Sequence, residues 1–435
     1  MKESNNNETF FGLQMSRFFA NLFAKAKQND AAVMTRYREK QAEMASKMHE
    51  KIRNPSNKEI FKAAIGYYED PSPKKMNEKI YKKMPKVNPG AVDPTSGDNS
   101  FGRLHQLKVL WTVMFAGFGF IAYTKYQERK SRISRSKKIQ TPLFKAKGFK
   151  LARYKNCIIL EDAVKNGLVE SIEKFQLRDS DVICASFPKS GTTWLQQVVY
   201  LLMHPDEDGS QKEGNVRDTL EHRVPYIEYP YPGLNEISKR KDPRIIKTHL
   251  PQHLLPTNGK GKVIYIVRDP KDVMVSYYFF ARMLTQMSFE GNLEDFALQM
   301  MQDRVPYGPY FDHLVGFKMA AQAEDQRYLI VKYENMKKNP KTAIKEIAEF
   351  LDIKTSEELL TKIEKETSFD KMKSNPVTNY QHWDEWGLRN PEESEFMRKG
   401  QVGDHKNHFS PELQDSVSKW VQTNVENYPM IKSLV

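Results

Sequence analysis

One strand, one tight turn and one helix constrain this chain more than anything else in it. Asp181-Val-Ile-Cys-Ala-Ser-Phe187 is an apolar run of strand length. Pro188-Lys-Ser-Gly-Thr-Thr-Trp194 breaks it, and LQQVVYLLM follows at helical spacing. A strand feeding a helix through so short a turn brings the helix's unpaired first-turn N–H groups to the strand's end, with the positive end of the macrodipole behind them. That arrangement binds anions. Ser190, Thr192 and Thr193 add hydroxyl donors, Gly191 makes the turn, and Lys189 adds a mobile positive charge. The loop is not GxxxxGK[ST], because its lysine precedes the glycine by two residues. An ordinary capped turn would explain one Ser or Thr but not the whole string.

Strand-like and helical segments keep alternating after this point, as in Lys262-Val-Ile-Tyr-Ile-Val267 and the helical run behind it. The alternation predicts an α/β fold, a central and mostly parallel sheet flanked by helices. With 435 residues, 39% hydrophobic and 28% charged, the chain has the composition of a folded protein. Its net charge of +13 is unevenly placed. Residues 1–138 hold 27 Lys+Arg against 13 Asp+Glu, and residues 139–435 hold 41 against 42. The second part therefore works without an overall positive field, and no nucleic-acid partner is expected for it. Cys157 and Cys184 are the two cysteines, which excludes a disulfide-dense scaffold and a CxxC…CxxC zinc site. Cys184, inside the strand-like run, reads as a small buried hydrophobe. No His cluster of HExxH type occurs, so no metal is expected.

Residues 1–138 form a basic extension with a helix-like stretch near its start and a Lys- and Pro-rich linker at 70–100. Leu107–Thr124 (LKVLWTVMFAGFGFIAYT) carries Lys108 as its one charge, with Trp111 and Tyr123 near its ends. Eighteen helical residues rise about 27 Å, enough for a thin hydrocarbon layer. The segment is a candidate transmembrane helix. Lys125, Arg129, Lys130, Arg132, Arg135, Lys137 and Lys138 follow it, against Arg103 and Lys108 on the other side. The positive-inside rule then puts the rest of the chain in the cytoplasm. If the segment does not span, the chain reads as cytoplasmic. Residues 14–27, basic and amphipathic without an acid, leave a mitochondrial address open.

The string FPKSGTTW resembles the 5′-phosphosulfate loop of the cytosolic-type sulfotransferases, which use 3′-phosphoadenosine 5′-phosphosulfate (PAPS). Further segments match in family order over about residues 145–435. Lys247-Thr-His-Leu-Pro251 resembles the segment with the catalytic histidine. Arg268-Asp-Pro-Lys-Asp-Val-Met-Val-Ser276 is similar to the 3′-phosphate motif. Val331-Lys-Tyr-Glu334 and Thr367-Ser-Phe369 resemble the adenine-side segments, and Phe396-Met-Arg-Lys-Gly-Gln-Val-Gly-Asp404 the C-terminal phosphate loop. No family is recognised for residues 1–138, so a sulfotransferase domain is expected at 139–435.

The resemblance implies PAPS as sulfonate donor, no metal, and a small hydrophobic acceptor bearing a hydroxyl or amine. It makes His249 the base that takes the acceptor's proton, a task suited to an imidazole near neutral pH. It gives Lys189 and Lys247 the transferring sulfonate and bridging oxygen. It assigns the 3′-phosphate to Arg268, Ser276, Arg398, Lys399 and Gly400, and the adenine to Trp194, Phe369 and Tyr333. For the acceptor it points to Tyr226, Tyr229, Phe280 and Phe187, rings that suit a flat hydroxylated molecule.

Two departures from the family pattern stand out. Where the family reads GDWK, His405 replaces the tryptophan, which predicts less packing at the cofactor loop. The family's dimer motif falls on Lys406-Asn-His-Phe-Ser410-Pro411 with Asp415 at its end, and Pro411 removes a backbone donor there. Dimerisation in that mode is doubtful. Two rival readings remain: a PAPS-binding or membrane-tethered scaffold without activity, and a nucleotide kinase.

Overall fold

The computed structural model describes residues 136–435, apart from 213–214, 216–217, 230–232, 257 and 324–325, together with a few positions between 124 and 134. The apolar segment at 107–124 lies outside the described residues except for Thr124, and the helix-like stretch and linker before it lie wholly outside.

A small antiparallel sheet comes first: β1 (Lys137–Ile139), β2 (Leu151–Tyr154) and β3 (Cys157–Leu160), in that spatial order. The expected domain boundary at 138/139 therefore falls inside β1. The main sheet holds β4 (Val182–Ser186), β5 (Ile245–Thr248), β6 (Lys262–Val267) and β7 (Tyr328–Lys332) in the order β5-β4-β6-β7, all parallel. Val182 of β4 stands opposite Ile245 on one side and Lys262 on the other. The parallel α/β reading of the sequence holds.

Both faces of this sheet are covered, so its strands are apolar on both sides. Val182, Cys184, Ile264 and Ile266 point into one core, with Leu195 and Val199 of α1 (Thr192–Met203). Ile183, Ala185, Val263, Tyr265 and Val267 point into the other, with Val273 and Tyr277 of α2 (Pro270–Met283) and Leu314 and Phe317 of α3 (Tyr310–Gln322). Cys184 is fully buried in the first of these cores, as its place in the run suggested. Helix α4 (Tyr333–Lys338) leaves β7 directly. Asp269 caps α2, its side chain accepting from the Lys271 N–H at 2.8 Å, with Pro270 at the first helical position. Pro411 plays the same part in α5 (Pro411–Asn427), capped by Ser410. The segment expected to hold a dimer motif thus begins a helix.

The chain leaves β4 toward β5 on one side and later toward β6 on the other. Where strand order reverses in this way, the two outgoing loops part and leave a crevice at the carboxyl ends of the strands.

Candidate active site

Four of the candidate segments sit at the carboxyl ends of these strands. The loop 187–191 follows β4, His249 follows β5, Arg268 follows β6 and Tyr333 follows β7. The turn after β4 is tight: Lys189 (φ 69°) and Gly191 (φ 106°) both have positive φ. A side chain on Gly191 would meet the Tyr333 ring at 2.7 Å, so the residue is needed for the close approach of β7's end as well as for the turn. Thr192 Oγ1 lies 2.5 Å from Ser186 Oγ, which ties the first turn of α1 back to β4.

Four cations converge here. Lys189 Nζ lies 4.5 Å from the Phe280 ring centre and 4.4 Å from that of Phe396. The Arg268 guanidinium lies 4.4 Å over Tyr333, that of Arg398 4.5 Å over Phe279, and Lys247 Nζ 4.2 Å over Tyr226. Burial, then Lys247, Arg268 and Arg398, push the Lys189 amine down to about 7. Burial likewise lowers Lys247. Arg268 Nε and Trp194 Nε1 are buried with no hydrogen-bond partner among the described residues. Positive charge gathered out of water and donors left unpaired mark a place built for an anion. Ser276, Lys189, Phe279, Phe280, Phe396 and Arg398 line one small cavity there.

His249 is 8% exposed. Its Nδ1 lies 2.8 Å from the Ser186 carbonyl oxygen, its N–H donates to Glu228 Oε1 at 2.6 Å, and its carbonyl accepts from His313 Nε2 at 3.0 Å. Residues 225–227 run beside β5, the Ile227 N–H donating to the Lys247 carbonyl and the Lys247 N–H to that of Pro225. That pairing brings Tyr226, stacked on Tyr229 with centres 5.2 Å apart, to 5.3 Å from the His249 ring. Tyr307, 5.5 Å from the same ring, shares a 2.6 Å hydrogen bond with the Tyr226 hydroxyl. The structure places Phe187 elsewhere: it is fully buried, edge-on to Tyr277, Tyr310 and His313.

Among the residues expected to face the adenine, Trp194 meets Tyr333 edge-on at 5.6 Å, and Gly400 lies against the Phe369 ring. Asp404 holds both Arg398 (2.5 Å) and Lys399 (2.9 Å).

These residues lie inside a stretch that a family model describes. Residues 179–429 match the sulfotransferase domain. The chain belongs to the sulfotransferase family. Mouse (Mus musculus) sulfotransferase 1E1 is 38% identical over 257 residues, 57% of this sulfotransferase and 83% of the relative. Sulfotransferase 1B1 of Mus musculus is 40% identical over 249 residues, covering 55% and 81%. Among solved structures, retinol dehydratase in complex with androsterone and the inactive cofactor PAP aligns with a TM-score of 0.57 at 25% identity, over 68% of this chain and 94% of that one.

Four residues of the sulfotransferase site escaped sequence reasoning: Glu228, Tyr307, Asp272 and Asp404. Asp272 and Asp404 stand inside segments the motifs had already marked, and Glu228 stands between Tyr226 and Tyr229, so proximity was the available signal.

Proposed function

We propose that this sulfotransferase moves the sulfuryl group of PAPS to a hydroxyl or amine of a small hydrophobic acceptor, with His249 as general base and residues 139–435 as the catalytic domain. One observation carries the reading: a buried histidine with one ring nitrogen committed to a carbonyl stands beside a cluster of cations at the carboxyl ends of β4, β5 and β6. Burial, then Lys247, holds the imidazole well below its ordinary value, so it is neutral and able to take a proton.

PAPS supplies the activated sulfuryl group. The first turn of α1, with Ser190, Gly191, Thr192 and Thr193, suits its 5′-phosphosulfate, and Lys189 and Lys247 suit the charge that builds on the departing oxygen. Arg268, Ser276, Arg398, Lys399 and Gly400 suit the 3′-phosphate, and Trp194, Tyr333 and Phe369 the adenine. Tyr226, Tyr229 and Phe280 offer rings to a flat acceptor, with the Tyr226–Tyr307 hydroxyl pair as a polar contact near the base. Androsterone, bound by the retinol dehydratase neighbour, is a molecule of this class.

The test is turnover of the full chain with PAPS against panels of phenols, sterols and amines, with and without EDTA. Sulfated product with EDTA present supports the reading. Phosphoryl transfer from a nucleotide that requires Mg²⁺ overturns it in favour of a kinase, and PAPS binding with no product on any panel makes the chain a silent binder.

Residues 107–124 are proposed to anchor the chain with its catalytic domain on the cytoplasmic face, on the strength of the seven basic residues that follow. Protease digestion of the domain on sealed vesicles without detergent supports this orientation. Protection overturns it, and release by carbonate wash shows that the segment does not span.

A further inference from the structure

The residues assigned to the 3′-phosphate come from two places far apart in the chain. Arg268 and Ser276 belong to the end of β6 and to α2; Arg398, Lys399 and Gly400 belong to the C-terminal loop. Something must hold these two pieces in register, and the structure gives that task to one carboxylate. Asp272, in the first turn of α2, is 2% exposed. Its Oδ2 accepts from the Gly403 N–H at 2.7 Å. Its Oδ1 accepts from the His405 N–H at 3.1 Å and from the His405 ring, whose Nδ1 lies 2.8 Å away. Arg268 stands 3.7 Å from the same carboxylate, and its Nη2 donates to the Gln401 carbonyl at 2.6 Å. The loop is thus pinned to α2 and to the end of β6 at Gln401, Gly403 and His405. Between those pins, Asp404 aligns Arg398 and Lys399.

His405 is also the position where the family's tryptophan is missing. The sequence suggested a loss of packing; the structure shows a different fastening. The imidazole donates a hydrogen bond into a buried carboxylate, a charge-assisted contact. Its ring also lies 5.6 Å from Phe409, just ahead of α5.

We propose that Asp272 and His405 form a clasp that positions the C-terminal loop for the 3′-phosphate, acting through Gly403 rather than on the phosphate itself. The proposal rests on the reading that Arg268 and Arg398 hold that phosphate. A loop already fastened gives up little freedom when the nucleotide arrives; an unfastened one must be ordered at each binding event, and affinity falls by that cost. The hydrogen bonds of His249 run to Ser186, Glu228 and His313, none of which the clasp holds. Asp272 and His405 are therefore positioning residues, with an effect on nucleotide affinity alone.

The experiment measures binding of 3′-phosphoadenosine 5′-phosphate to the full chain carrying Asp272→Asn, His405→Ala, both together, His405→Asn or Arg268→Ala, with amide hydrogen exchange over residues 400–406. Asp272→Asn and His405→Ala are each expected to weaken binding about tenfold, the scale of a lost charged hydrogen bond. The double variant should be little worse than either alone, because both cut the same fastening. Exchange at Gly403 and His405 should speed up, KM for PAPS should rise, and kcat and the acceptor KM should stay within about twofold. His405→Asn, which keeps a donor, should recover much of the affinity. Loss of kcat with PAPS KM unchanged overturns the clasp. So does tight binding in Asp272→Asn and His405→Ala while Arg268→Ala binds weakly. If Arg268→Ala also binds as tightly as the wild type, the phosphate assignment itself fails, and the clasp with it.

Discussion

The Nδ1 of His249 and the carbonyl oxygen of Ser186 lie 2.8 Å apart, and this contact fixes which ring nitrogen can act. A carbonyl only accepts, so Nδ1 carries the proton and Nε2 keeps its lone pair. The peptide on either side is held as well, by Glu228 at the N–H and by His313 at the carbonyl. Burial drives His313 down to about 4, so it stays neutral near physiological pH, and its Nδ1 lies 2.9 Å from the Tyr265 hydroxyl. The imidazole is oriented before any acceptor arrives.

His249→Ala should therefore lower turnover by at least about a hundredfold, the contribution of a positioned general base. Nucleotide affinity should stay within a few fold, because the imidazole faces the Tyr226 and Tyr307 rings. Steady-state kinetics paired with direct nucleotide binding checks this. A variant keeping a tenth of the wild-type rate removes His249 from the role.

Lys189 gives the site a pH dependence of its own. Its amine, pushed down to about 7, is charged below that pH and loses its charge as pH rises through it. Binding of an anionic nucleotide favours the charged form, so affinity should be greatest below pH 7 and fall above it, with proton uptake on binding in the higher range. Calorimetry in buffers of different ionisation enthalpy measures the uptake. Lys189→Arg, which stays charged throughout, should flatten the profile.

The strand, turn and helix at 182–203 were legible because they are neighbours in sequence. His249 and Arg268 were legible through their segments, since each ends a strand of the same sheet. What the sequence could not show was pairing across distance. Asp272 and Gly403 are 131 residues apart, and neither carries a local signal that the other is its partner. Glu228 is placed at the His249 N–H by the strand-like pairing of 225–227 with β5, another contact across distance. Phe187 was hard to place for a different reason. An aromatic just past a buried strand reads the same whether it lines a cavity or fills the core, and here it fills the core.

Glu228 should make stability depend on pH. Burial raises its carboxyl from 4.5 to about 7, against the pull of the His249 N–H. A raised folded value means the native state binds the proton more tightly than the unfolded chain does. Its contribution is fully present below about 4.5 and is lost as pH rises toward 7. The shift corresponds to roughly 3 kcal/mol. Glu228→Gln keeps an oxygen for the His249 N–H and never ionises. The Tm of the variant relative to the wild type should climb between pH 4.5 and 7 and then level off. A constant difference across that range would show that Glu228 does not titrate there.

Gly400 and Gly387 offer a matched pair. Both have positive φ, 61° and 65°, so alanine costs each a similar backbone strain of about 1–2 kcal/mol. They differ in surroundings. A Cβ at Gly387 meets nothing within 4 Å, while one at Gly400 would stand 2.3 Å from Cδ2 of Phe369. An aromatic ring at the start of a helix has little room to yield, so Gly400→Ala must move Phe369 or the loop that carries Arg398 and Lys399. Gly387→Ala should lower stability modestly and leave nucleotide binding unchanged. Gly400→Ala should lower stability further and weaken 3′-phosphoadenosine 5′-phosphate binding by about tenfold, on the scale of a lost aromatic contact. Chemical denaturation and binding titrations of the two variants side by side make the comparison. Equal affinities would mean that Phe369 does not touch the adenine.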